Sequence, residues 1–249
     1  MNTSLSSFNL FGASKPFIPP AWSTSDDRVR GGASQSYLIA LPDNRARFYG
    51  HLDASTLGGA GFASQFSPLN VPALDDQSKE GKQCWNLAAY DGIEIGVEKS
   101  DDKVYTFILR DEEQVEKRED GREKAGINWE VEFRAGKSGD GEVDEEKEMK
   151  IWLPWSEFKA TFRGKEKKDA GKLKTGEISR VGLMMRRQVL LPDYFQNYFG
   201  KQEGDFNLEL RGIRARKRAS DQEQASNVAE AQKSIFDARG EQNQQSSSL

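Results

Sequence analysis

The feature that most constrains the fold of this chain is the alternation of apolar and polar residues in short segments. In residues 92–99, Ile93, Ile95 and Val97 alternate with polar neighbours, and residues 127–133 follow the same pattern. A period of two is the period of a β-strand that places one face on a core. The same reasoning, with the aromatic and β-branched content, predicts strands at 36–41, 46–52, 61–67, 92–99, 103–110, 127–133, 149–154 (ended by Pro154), 178–185 and 205–215.

The segments between these strands are turn-like, and no sustained helical period separates them. A parallel α/β architecture requires amphipathic helices between strands, so the pattern predicts an all-β jelly-roll β-sandwich. Residues 99–102 predict a hairpin turn between the strands at 92–99 and 103–110, and Gly212 predicts an irregularity in the last strand.

The domain organisation follows from shifts in composition. We predict an N-terminal extension at residues 1–20, a β-sandwich domain at 21–216 and a polar tail at 217–249. The tail is rich in Ala, Gln, Glu and Ser, which predicts a weak helix followed by disorder, so part of the C-terminus is helical or disordered. Two charged blocks between residues 111 and 148 predict long solvated loops around the strand at 127–133.

Charge and cysteine content exclude several classes of protein. The chain has 36 basic and 40 acidic side chains, a net charge of -4, which does not favour nucleic acid as a partner. The single Cys84 excludes an internal disulfide, and no apolar run approaches the roughly 20 residues of a transmembrane segment. The Ser-rich start has Lys15 as its only base before Ser25, which is a weak targeting signal because mitochondrial presequences carry several Arg.

The residues available for catalysis are few. His51 and Cys84 are the only His and Cys, which excludes most zinc sites. No nucleophile-elbow motif is present, and the glycines at 58, 59 and 61 do not match a dinucleotide-binding fingerprint. We therefore expect no enzyme activity, no catalytic residues, no metal and no cofactor.

The most unusual local pattern runs from residue 21 to residue 38 and precedes a predicted strand. Charge-assisted hydrogen bonds between its acids and bases near a Gly-Gly turn would pin the loop to the sheet. The alternative is a polar ligand- or partner-binding site at the end of the sandwich. The candidate residues are Trp22, Asp26, Asp27, Arg28, Arg30, Ser34 and Ser36, around Gly31 and Gly32.

A second candidate binding segment lies between the last two predicted strands and contains four aromatic residues. These rings either plug the sandwich or stay exposed as anchors for a protein partner. They are Tyr194, Phe195, Tyr198 and Phe199.

The ordered set of motifs resembles the complex I intermediate-associated protein 30 family from about Trp22 to about Ala215. The matching residues are Trp22, Asp26 to Arg30, Gly31, Gly32, Ser34 and Ser36; Phe48, Gly50 and Leu52; Gly61, Phe62, Ala63 and Ser64; Asp91 and Gly92; Trp152, Pro154 and Phe158; and Gly204, Phe206 and Leu208. The chain departs from the family pattern at Arg30, where a Met is usual, at Ala60, and in the charged insertion and the tail.

The resemblance implies a galactose-binding-like jelly roll and a chaperone-like factor in the assembly of mitochondrial respiratory complex I. It also implies a mitochondrial location, where the residues alone would indicate the cytoplasm. The expected partners are complex I subunits or assembly intermediates, which would involve binding of unfolded protein. The resemblance carries over no catalytic residue, and the sequence does not specify an oligomeric state.

The alternative function is a carbohydrate- or small-ligand-binding β-sandwich module without catalysis. Exposed tryptophans would favour it because their rings stack on sugars, whereas buried tryptophans would favour a protein partner. The five candidates are Trp22, Trp85, Trp129, Trp152 and Trp155.

Overall fold

The computed structural model describes residues 7–68, 84–111, 119, 124–136, 148–187 and 202–218. The chain divides into two units, residues 1–216 and residues 217–249. The first unit contains thirteen strands within the described ranges. They are β1 Ser7–Gly12, β2 Ser23–Thr24, β3 Gln35–Leu41, β4 Arg45–Leu52, β5 Phe62–Phe66, β6 Gly92–Ser100, β7 Val104–Arg110, β8 Ile127–Arg134, β9 Met149–Pro154, β10 Lys159–Phe162, β11 Lys165–Glu166, β12 Arg180–Arg186 and β13 Gly204–Arg216.

The strands form two antiparallel sheets. The first sheet has the order β3-β4-β13-β6-β9, and β1 pairs with the second half of β13. The second sheet has the order β11-β10-β8-β7-β12-β5-β2. Strand β13 is therefore central to the first sheet, whereas β3 and β2 lie at sheet edges.

One hydrophobic core fills the space between the sheets. Its largest fully buried side chains include Phe48 from the first sheet and Tyr105 and Phe107 from the second. Alternate residues along each strand face this core, as the period of two predicts. The predicted all-β jelly-roll sandwich is confirmed.

All nine strands predicted from the sequence are present, with small shifts at their ends. The irregularity predicted near Gly212 is also present, as a register shift in the pairing of β13 with β6. The prediction missed the two-residue strands β2 and β11 and the short strand β10, which are too short to show a period.

The structure differs from the prediction at residues 7–12. Residues 7–12 belong to the sandwich as β1, although the predicted domain begins at residue 21. Leu10 is buried in the core, and the strand pairs with residues 212–216 of β13. A short Ser-rich segment contains no sign of a partner some 200 residues away, so its pattern indicates an extension. The bounds of the domain and of the tail otherwise remain predictions.

The predicted hairpin turn at residues 99–102 is wrong. Strand β6 pairs with β13 and β9 in the first sheet, whereas β7 pairs with β8 and β12 in the second, so this connection crosses between the sheets. Asp101 stabilises the corner by accepting hydrogen bonds from the Tyr105 hydroxyl at 2.8 Å and the Asn207 peptide N–H at 3.0 Å. A short polar connection suits a hairpin and a corner equally well, and only the long-range pairing separates the two.

The outer face of the first sheet carries ion pairs near the basic run at residues 211–218. The buried carboxylate of Glu94 accepts hydrogen bonds from Arg214 at 2.7 Å and from Arg216. These two arginines therefore form part of the surface of strand β13. Within the described ranges, no helix has the length and apolarity needed to span a membrane.

Candidate functional site

The Gly-Gly segment, defined as residues 22–36, connects the edges of the two sheets. It includes β2 at the edge of the second sheet and the first two residues of β3 at the edge of the first sheet. Between them, residues Asp27–Arg30 form a single turn of 3-10 helix. The segment therefore closes one side of the sandwich.

Asp26 holds the two sheets together at this closure. Its buried carboxylate accepts hydrogen bonds from the Ser36 hydroxyl at 2.8 Å and the Ser36 peptide N–H at 3.1 Å, both on β3. It also accepts one from the Ser64 peptide N–H on β5 at 3.0 Å. An ionised acceptor strengthens such bonds, so Asp26 is an electrostatic cross-link between the sheets.

Asp27 makes a second, parallel link. Its buried carboxylate accepts hydrogen bonds from the Ser34 peptide N–H at 3.0 Å and the Phe62 peptide N–H at 3.2 Å. The two aspartates satisfy peptide N–H groups at sheet edges that would otherwise need water or another strand. We call Asp26 and Asp27 the aspartate clamp.

The two glycines are required by the clamp for different reasons. Gly31 has φ of +85°, in the left-handed region that glycine adopts without steric cost. A Cβ on Gly32 would lie 2.2 Å from the Asp27 Oδ1 atom. The first glycine turns the chain, and the second leaves space for the carboxylate.

Ser34 extends the clamp to the loop after β4. Its hydroxyl accepts the Asp53 peptide N–H at 3.0 Å and lies 3.2 Å from the Asp53 carbonyl oxygen. The side chain of Asp53 caps its own turn, and the hydrogen bond from the Thr56 peptide N–H is the main cause that lowers its pKa below the ordinary value. Gln65 adds a bond from its amide to the Ser36 carbonyl oxygen at 3.0 Å.

The arginines of the segment have a different environment. Arg28, Val29 and Arg30 are exposed on the 3-10 turn above the buried clamp. Arg28 reaches Asp26 through one contact of 3.2 Å, and the Arg30 guanidinium lies 5.6 Å from the centroid of the Phe62 ring. The loop is thus pinned mainly through peptide N–H groups and serines, and its bases remain on the surface.

Trp22 points into the protein. Its ring is buried against Phe11 and Phe17, at centroid distances of 5.1 and 6.1 Å. This position joins β1 to the Gly-Gly segment, so Trp22 contributes packing at the site. The other candidate segment, with Tyr194, Phe195, Tyr198 and Phe199, lies outside the described residues, and its role remains a prediction.

Sequence reasoning missed an exposed apolar and aromatic surface beside the clamp. Tyr37 on β3 and Tyr49 on β4 are directly opposite each other and stack with a centroid distance of 5.3 Å. Ile39, two residues further along β3, is also exposed, and Arg47 on β4 lies over the Tyr49 ring. The signal was present in the alternation of the two strands, but only their register shows that the rings meet.

Other clusters of polar side chains pair with each other through hydrogen bonds and ion pairs. The buried carboxylate of Glu130 accepts hydrogen bonds from the Thr161 hydroxyl and Arg186, both at 2.7 Å, and Arg186 also donates to Glu132 at 2.6 Å. His51 pairs with Asp205 on the exposed face, with 2.7 Å between Nδ1 and Oδ1. Across the described residues, no group of three or more His, Cys, Asp or Glu could hold a metal ion.

These observations define the class of protein. Two antiparallel sheets enclose one core, and an aspartate clamp closes one side, so the protein is an all-β jelly-roll β-sandwich. The chain belongs to the complex I intermediate-associated protein 30 family, whose model matches residues 11–210. This agrees with the resemblance carried by the ordered motifs of the sequence.

The chain is similar to a protein of related sequence and to two solved structures of similar fold. An uncharacterised protein of Schizosaccharomyces pombe is 35% identical over 210 residues, which cover 83% of this chain and 82% of that protein. A family 11 carbohydrate-binding module of the cellulase Lic26A-Cel5E from Clostridium thermocellum superposes with a TM-score of 0.48 at 11% identity, covering 88% of this chain and 98% of the module. The agarase AgWH50C has a TM-score of 0.43 at 11% identity, covering 87% of this chain and 25% of the agarase. At such identities the likeness concerns the fold alone.

Proposed function

We propose that this chain is a non-enzymatic, chaperone-like assembly factor that binds subunits or assembly intermediates of mitochondrial respiratory complex I. The observation that carries the proposal is membership of the complex I intermediate-associated protein 30 family over residues 11–210. That family is associated with assembly of the complex, and we extend the association to this chain and to direct protein binding in the mitochondrion.

The use of the polar residues in the site supports binding rather than catalysis. Both aspartates of the clamp accept hydrogen bonds from peptide N–H groups, so they stabilise the fold. A general base or a nucleophile needs an unoccupied reactive atom facing a substrate. The 3-10 turn of the Gly-Gly segment exposes Arg28, Val29 and Arg30, which are suited to contact another surface.

The tryptophans favour a protein partner over a sugar. Trp22 and Trp129 are buried, and Trp85, Trp152 and Trp155 are only partly exposed. The indole N–H of Trp129 donates to Asp111 at 3.0 Å and that of Trp155 donates to the Tyr90 carbonyl oxygen at 2.6 Å. Rings held in this way are unsuited to form a row of sugar-stacking platforms.

The proposal is tested in cells that lack the gene, with complex I followed on native gels. We expect less mature complex and an accumulation of intermediates, both restored by the full-length chain. The tagged chain should locate to mitochondria and co-purify complex I subunits identified by mass spectrometry. Normal assembly in the null cells, or turnover of a substrate by the purified chain, would exclude the proposed function.

The carbohydrate-binding alternative has its own test. Oligosaccharides titrated into the purified chain would change intrinsic fluorescence if they stacked on an aromatic ring. We expect no saturable change with β-glucan or agarose oligosaccharides. A saturable change that is lost in Tyr37→Ala would favour the sugar-binding module instead.

A further inference from the structure

The exposed large apolar residues of the described chain concentrate around one sheet edge. Tyr37 and Ile39 are on β3, with 43% and 38% of their surfaces exposed, and Val29, on the adjoining 3-10 turn, is 62% exposed. A fourth, Ile18, precedes a short 3-10 helix that packs against β3. Phe162, the remaining one, lies on β10 near the opposite edge of the second sheet.

These residues adjoin arginines on the outer face of the first sheet. Strands β3 and β4 contain no acidic residue, and β4 presents Arg45 and Arg47 on the same face as Tyr49, with Glu209 of β13 opposite Arg47 in the register. Within the described residues, neither Arg47 nor Arg30 has a carboxylate within 4 Å, and Arg47 instead donates to the neutral Asn207 side chain at 2.5 Å. Arg45 forms an ion pair with Glu98, with 2.5 Å between the nitrogen and oxygen atoms.

We propose that Tyr37, Ile39, Tyr49, Arg47 and the Val29 turn form a docking surface for a protein partner that presents apolar groups edged by carboxylates. Tyr and Arg are the side chains that most often anchor protein interfaces, and a flat sheet face holds them at little entropic cost. The inference rests on the proposed function, since it supplies the surface through which an assembly factor would hold its client.

The charge of the surface selects the kind of occupant. A second copy of this chain bound about a two-fold axis would place this surface against itself, and strands β3 and β4 carry no acidic residue that could pair with Arg47 of that copy. A partner with carboxylates at the same positions would gain attraction, which salt would weaken. The aspartate clamp supports the arrangement because it fixes the 3-10 turn to the end of β3.

The first experiment places a photo-crosslinking amino acid at Tyr37 of the full-length chain, in the cells that make it. Phe162 provides the matched control position, because it is an exposed ring on a strand with the same 38% exposure as Ile39. We expect a crosslinked product with a different protein from position 37 and none from position 162. No product from position 37, equal products from both positions, or a product with a second copy alone would overturn the docking surface.

The second experiment tests the charge. Arg47→Glu should reduce the crosslinked product at least tenfold, and higher salt during crosslinking in a cell extract should reduce the wild-type product. Arg163→Glu is the matched control, because Arg163 lies over the Phe162 ring at 5.2 Å as Arg47 lies over Tyr49 at 4.9 Å. Ile39→Asp gives the same reduction without removing a hydrogen bond, and melting temperatures confirm that each variant is folded. Unchanged yields in folded Arg47→Glu and Ile39→Asp would overturn the proposal.

The same cells separate the two proposals. A product from position 37 that is not a complex I subunit keeps the docking surface and contradicts the proposed function. Complex I subunits that co-purify with the wild type, without a product from position 37, keep the function and contradict the surface.

Discussion

Replacing Asp26 with Ala tests the idea that one carboxylate holds the two sheets together. The change leaves the peptide N–H groups of Ser36 and Ser64 without an acceptor in a buried position. Each buried donor without a partner costs about 1–3 kcal/mol, so losing the acceptor of both should lower the free energy of unfolding by about 2–6 kcal/mol. In a domain of this size that corresponds to a decrease of about 4–24 °C in the melting temperature.

The measurement is chemical unfolding followed by fluorescence, with thermal unfolding as a second measure. Asp205→Ala is the control, because this carboxylate is 91% exposed and makes one surface pair with His51. Its effect should stay within about 0.5 kcal/mol. A loss below about 1 kcal/mol for Asp26→Ala would refute the reasoning, because it would mean that water replaces the carboxylate at no cost.

Three further predictions follow from neighbouring features. Gly32→Ala should lower the free energy of unfolding by about 2–4 kcal/mol, because the added Cβ displaces the Asp27 carboxylate. Gly31→Ala should lower it by about 1–2 kcal/mol through backbone strain. Urea unfolding compares the two variants, and equal losses would argue against the steric reason. Burial raises the pKa of Tyr105 far above the ordinary 10.0, so the unfolded state releases this proton at lower pH than the folded state. The free energy of unfolding should therefore fall as pH rises above about 10, by up to about 1.4 kcal/mol per pH unit. Tyr105→Phe should flatten that slope in unfolding curves, and an unchanged slope would count against the prediction. Leu10→Ala should cost about 2–5 kcal/mol and Ile18→Ala about 0.5 kcal/mol or less, and a similar small loss at both would show that β1 contributes little.

The fold was predictable from the sequence where a segment was long enough to show its period. The strands at 92–99 and 127–133 alternate over seven residues or more, so their positions could be read directly. Pairing could not, because hydrogen bonds between distant strands leave no local mark. The connection at residues 99–102 illustrates the limit, since the same four residues serve a hairpin or a corner between sheets.

The candidate site was only partly predictable for the same reason. The acids, glycines and serines of residues 22–36 indicated a pinned loop, and the structure shows that Asp26 and Asp27 pin it. Their acceptance of hydrogen bonds from Ser64 and Phe62 depends on β5 lying beside the loop, which no local pattern records. The Tyr37–Tyr49 pair likewise depends on strand register.

The central position of β13 has a consequence for the order in which the chain folds. Among the described strands this one is synthesised last, yet it connects β4 and β1 on one side to β6 on the other. Until it is made, the first sheet consists of separate pieces whose hydrogen-bonding edges have no neighbour. Folding of the sandwich should therefore finish only after residues up to 216 are available, and the growing chain would need protection from aggregation until β13 inserts.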